Sequence, residues 1–171
     1  MRCLFAILIA LMSLPTQAGE IGDMAKETSE SPTADLFVKF PADPRFNFGI
    51  TEIGIECTAC FGTCPVFTFI AKSDGTVRYV GTRNVDYLGV RTGKIALWRF
   101  NWLAKFIWET DYKDFHRAYT IPVTDHPTVY TMVVMNGQRK IVSNYGEAGP
   151  ATLWAIERLI NHLKAHVDWD E

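Results

Sequence analysis

From Ile50 onward the chain alternates between apolar and polar positions with the two-residue period of half-buried strands. In GITEIGIEC, Ile53, Ile55 and Cys57 fall on one side and their polar neighbours on the other. VFTFIAK and TVRYVG follow on either side of Ser73-Asp74-Gly75, and Asp-Gly between two such runs signals a tight hairpin. The same logic applies to TVYTMVVM, then Asn136-Gly137, then QRKIVSNY. A weaker strand pattern spans residues 87–95. In the run that opens the second hairpin, Val129, Thr131, Val133 and Met135 alternate with Tyr130, Met132 and Val134, so that strand is apolar on both sides.

Two segments change to helical period. In LWRFNWLAKFIWET, Leu97, Phe100, Leu103, Ala104 and Ile107 share one face at about 100° per residue. The last helix opens at Gly149-Pro150, and its stripe is Leu153, Ile156, Leu159, Ile160, Leu163 and Val167. The resulting order, β-β-β-(β)-α-β-β-α, predicts an α+β domain: an antiparallel sheet of about five to six strands with two helices packed on one face.

The N-terminal end reads differently. Residues 1–18, MRCLFAILIALMSLPTQA, have a basic start, a short apolar run and small residues at a cleavage position, the pattern of a secretory signal peptide. The run is shorter than the ~20 apolar residues that a membrane-spanning helix needs. Residues 19–34 are polar and read as a flexible leader, and residues 35–171 as a single globular domain. Phe37 to Phe48 sets aromatics between prolines, as an extended segment laid on that domain would. Cleavage after Ala18 removes one base, Arg2, and no acid, which takes the net charge from −2 to −3. Nothing in that balance marks a nucleic-acid binder or a partner held by charge alone. The expected location is exported, periplasmic or secreted, with no transmembrane segment after cleavage.

Export also changes the cysteine count, leaving Cys57, Cys60 and Cys64 of the four. Three thiolates fall short of the four ligands of a closed zinc site, and no second pair follows. A redox C-x-x-C normally opens a helix, whereas Gly62 and Pro65 stand in the way here. In an oxidising compartment a disulfide staple is the preferred reading, Cys60 with Cys64 across the turn Phe61-Gly62-Thr63, with a Cys57–Cys60 bond left open. Cys57 is then either a small buried hydrophobe or a reactive thiol, and the latter would make the protein thiol-active, in redox exchange or soft-metal binding.

Cys60-Phe61-Gly62-Thr63-Cys64-Pro65, Phe67, Asp74-Gly75-Thr76-Val77 and Gly81 resemble a family of exported bacterial domains, domain-of-unknown-function family 6438. Thr92-Gly93, Asp125-His126-Pro127-Thr128, Tyr145-Gly146 and Gly149-Pro150 extend the resemblance from about Ile50 to Val167. It implies export, one domain and paired Cys60 and Cys64, and carries no established activity. Cys57 and Ala71 depart from the family pattern.

Other constellations are sparse. His162 and His166 stand at i, i+4 without a further ligand and read as a solvated face. Asp125 and His126 are adjacent, and with Tyr145 they define a hydrolase candidate only if the fold gathers them into a pocket. No nucleophile elbow, phosphate loop or dinucleotide fingerprint is present. Trp98, Trp102 and Phe106 form a second helix stripe, roughly opposite the first, suited to contact with an envelope protein or glycan or to cover by the aromatic segment near Phe37. The sequence therefore points to a non-catalytic binding or structural accessory protein of the bacterial envelope, with no cofactor and no metal site.

Overall fold

Two turns set the frame. Asn136 and Gly137 both take positive φ, 50° and 76°, and join Met135 directly to Gln138 in a two-residue hairpin. The Asp74-Gly75 hairpin uses one residue more: Gly75 N–H donates to Lys72 O at 2.9 Å, and Gly75 alone is left-handed, φ 84°. Asp74 accepts from both the backbone N–H (2.8 Å) and the hydroxyl (2.6 Å) of Thr76, and these bonds hold its carboxyl below the usual carboxylate range.

The computed structural model describes residues 44–171. The expected signal peptide (1–18), the leader (19–34) and the aromatic segment up to residue 43 lie outside the described residues. A one-turn helix at Pro44–Asn47 leads into β1 (Ile50–Cys57), β2 (Val66–Lys72), β3 (Thr76–Arg83) and β4 (Gly89–Lys94). Helix α1 (Leu97–Glu109) and a second single turn (Tyr112–Asp114) precede β5 (Ala118–Tyr119), β6 (Thr128–Met135) and β7 (Gln138–Tyr145). Helix α2 (Ala151–Lys164) and β8 (Asp168–Trp169) complete the chain.

The strands form one sheet in the order β5-β7-β6-β1-β2-β3-β4-β8. The α+β class and the two helices agree with the sequence pattern. The six long strands are antiparallel, but the sheet has eight strands and is mixed, because β5 runs parallel to β7. The two extra strands are two residues each, too short to show any periodicity in sequence.

Register puts Ile53, Ile55, Phe67, Phe69, Ala71, Val77, Tyr79, Val133 and Val142 on one face. They form a single core with Phe100, Leu103, Ala104 and Ile107 of α1 and Leu153, Ile156, Ile160 and Leu163 of α2. Both helical stripes are therefore placed as their periodicity requires. Tyr112, 1% exposed, donates its hydroxyl to Thr131 O at 2.6 Å and pins the turn after α1 to β6.

Candidate functional site

The cysteine stretch leaves the end of β1. Cys60 and Cys64 form a disulfide, with Cα atoms 5.7 Å apart. Closing so short a loop contributes about 2 kcal/mol on the chain-entropy model. The loop is tied to the segment that leads into β6: Phe61 N–H donates to Asp125 O at 3.3 Å, and Thr58 exchanges two hydrogen bonds with Thr128. Phe61 itself projects into solvent, 89% exposed.

Cys57 remains unpaired and half-buried, against the core beside α2. Burial pushes its thiol up to about 11, and Glu157 and Glu56 add to that against Lys164. A thiol so placed is protonated at neutral pH and is a poor nucleophile or soft-metal ligand. Lys164 lies 3.6 Å over the ring of Phe67, and burial holds its ammonium below the usual lysine range.

Asp125, His126 and Tyr145 come near one another without forming a catalytic set. The rings of His126 and Tyr145 lie 6.4 Å apart, but the Tyr145 hydroxyl donates to Val123 O at 2.8 Å. Asp125 Oδ2 accepts from Thr124, not from the imidazole. His162 and His166 do not form a metal clamp: His166 Nδ1 lies 2.9 Å from His162 O, a local helix-end contact. Among the described residues no three His, Cys, Asp or Glu side chains are placed to hold a metal ion, and no helix is long and apolar enough to cross a membrane.

The aromatic stripe on α1 divides. Trp98 is 45% exposed, with the Arg99 guanidinium 4.4 Å over its ring. Trp102 is half-buried, and Phe106 packs against the core. Trp108, one turn beyond Ala104, stacks on Phe48 at 5.2 Å.

A second apolar surface lies on the other side of the sheet, which among the described residues neither α1 nor α2 covers. Cross-strand register places Tyr130, Met132 and Val134 of β6 beside Ile141 of β7, and Ile70, Val80 and Val90 beyond β1. Ile141 is 47% exposed and Val90 60%, values typical of surface and not of a second core. Gly54 lies at the centre, where a Cβ would sit 3.2 Å from Met132 Cε and 3.3 Å from Ile70 Cγ1, so those side chains close over it. Glu52 and Glu56 on β1 lie among these residues, with Arg139 on one side and Lys72, Arg78 and Lys94 on the other. The two-sided apolarity of β6 was the sequence signal for this surface. It was readable as a fully buried strand, and only the placement of both helices on one face shows that it is not.

Residues 51–164 match a family model described as Domain of unknown function (DUF6438). No curated protein matches the chain.

Proposed function

We propose, for a chain that belongs to the DUF6438 family of domains of unknown function, a non-catalytic role as an exported binding or structural accessory protein of the bacterial envelope. The observation that carries this reading is the sheet face that α1 and α2 leave open among the described residues, an apolar field of seven side chains interleaved with both signs of charge. Tyr130, Met132, Arg78 and Arg139 are of the residue types enriched where proteins meet, and the mixed charges suit a partner of complementary pattern. A glycan would call for several flat aromatic platforms, and this face offers one tyrosine among aliphatic side chains. The partner that fits is therefore a folded envelope protein. The protonated, half-buried Cys57 weighs against the thiol-active alternative.

The test is a Met132→Asp variant of the full exported chain, checked for an unchanged melting temperature, with Val80→Lys as a second disruption at a separate point. Wild-type protein should retain one envelope protein at fixed stoichiometry, and the purified pair should rebind. Each variant should weaken that rebinding at least tenfold, as loss of a buried contact at an interface centre does. Rebinding unaffected by both variants, or self-association of the wild-type chain through this face, overturns the reading.

A further inference from the structure

The chain carries a net charge of −2, yet one concave surface gathers positive charge with no acid in its lining. It lies at the β7 edge of the sheet. β5 pairs with β7 only at Ser143 and Asn144, so among the described residues the first half of β7 has no strand beside it on that side. Ser143 N–H points outward, donating to Arg117 O at 3.0 Å. Amides two and four residues earlier on an antiparallel strand face the same way, which directs the N–H groups of Ile141 and Arg139 outward as well.

The segment after the Tyr112–Asp114 turn forms the opposite wall. Lys140 holds it there, its ammonium donating to Phe115 O at 2.5 Å and to Lys113 O. Between wall and edge lies a pocket of about 630 Å³, lined by Lys113, Phe115, His116, Arg117, Arg139 and Lys140 together with Ile141. That volume falls in the range of small-molecule sites. Asp114 reaches Lys113 at 4.0 Å, but both side chains are largely exposed and such a pair is weak. Arg117 and Arg139 have no carboxylate partner among the described residues. Burial depresses the Lys140 ammonium, the Asp114 carboxylate opposes that fall and the Arg117 charge adds to it.

We infer that this pocket is an oxyanion site for a phosphate-bearing ligand, held by the Arg117 and Arg139 guanidinium groups and the outward amides of β7. Sheet-edge amides make anion-binding concavities, and the planar fork of arginine matches phosphate oxygens in pairs. Lys140 positions the wall and leaves the arginines free to engage the ligand. The phosphate site shares Arg139 and Ile141 with the rim of the partner-docking face, and Met132, which lies outside the pocket lining, probes that face separately.

The experiment titrates inorganic phosphate into the full chain by calorimetry, and measures cosedimentation with phosphatidylcholine vesicles with and without phosphatidylglycerol. Saturable phosphate binding is expected, weakened tenfold or more by Arg117→Ala and by Arg139→Ala. It should be unchanged by Arg91→Ala, whose guanidinium lies 3.8 Å over Tyr87 near the opposite edge. Phosphate binding without vesicle binding identifies a soluble ligand. Vesicle binding that phosphate displaces and that both arginine variants lose identifies a lipid headgroup. Absence of saturation at about 10 mM phosphate, far weaker than a millimolar site, overturns the inference. So does binding of phosphate or vesicles that neither Arg117→Ala nor Arg139→Ala reduces.

Discussion

Glu157 is 6% exposed on the core side of α2, in the same stripe as Leu153, Ile156 and Ile160. One chain of bonds satisfies part of it: Gly149 N–H donates to Asn144 Oδ1 (2.8 Å), and Asn144 Nδ2 donates to Glu157 Oε1 (3.0 Å). Burial outweighs that bond and pushes the carboxyl up from 4.5 to about 7, with Glu147 adding to the rise and Arg158 opposing it. The folded state therefore keeps a proton that the unfolded chain has already lost. The stability that this proton contributes is complete below pH 4.5 and is lost as pH rises through the folded value of about 7. Glu157→Gln keeps an acceptor for Asn144 and removes the ionisation. It should raise unfolding stability by about 2–3 kcal/mol at pH 8 and change it little at pH 4, because a tenfold difference in proton affinity between the two states is worth about 1.4 kcal/mol. Urea melts at the two pH values check this, and an equal effect at both would refute it. Nothing local in the sequence singles this residue out, because one acid in an apolar stripe is indistinguishable from one at its edge until the neighbouring strand is placed.

At the scale of elements, legibility follows how local the cause is. Asn136-Gly137 and Asp74-Gly75 were readable because the turn is encoded in adjacent residues, and both helices because their stripes repeat over several turns. β5 and β8 were not, since each is fixed only by distant partners: Asp168 and Trp169 pair with Lys94 and Gly93. Trp169 then packs edge-on against Tyr79 at 5.8 Å, with Arg91 over its ring. The phosphate-site arginines were illegible for the same reason, as Arg117 and Arg139 stand 22 residues apart in sequence and no motif joins them. One motif glycine now has a physical reason. A Cβ on Gly81 would lie 1.8 Å from Tyr87 O, where the chain folds back toward β4. Its cross-strand partner Gly89 has open space and a φ of 90°. Gly81→Ala should thus cost about 3 kcal/mol through forced backbone displacement, whereas Gly89→Ala should cost only the left-handed penalty of about 1–2 kcal/mol. Denaturation midpoints of the two variants decide it, and a Gly81 variant no worse than the Gly89 one would contradict the close approach.

Across the whole molecule, β1 joins two parts of the chain that are otherwise built separately. On one side it begins the meander β1–β4 that leads into α1, and on the other it pairs along its length with β6, whose hairpin leads into α2. The pairing of Ile53 with Val133 closes a long loop, so its bonds form only when most of the fold is in place. β5 and β8 hold by two register pairs each at the two sheet edges. Opening should therefore be graded: the edges detach with little loss of buried surface, while exposing β1 requires separating both helices from the sheet. In native-state hydrogen exchange, the amides of Ile53 and Ile55 should exchange only through global unfolding. Their rates should rise with low urea at the slope of the global transition. The amides of Ala118, Tyr119, Asp168 and Trp169 should exchange orders of magnitude faster and respond little to urea, as small local openings do. Should the β1 amides exchange as fast as those of β8, the β6–β7 hairpin would be a separately opening unit, and β1 would not be the seam that makes the sheet cooperative.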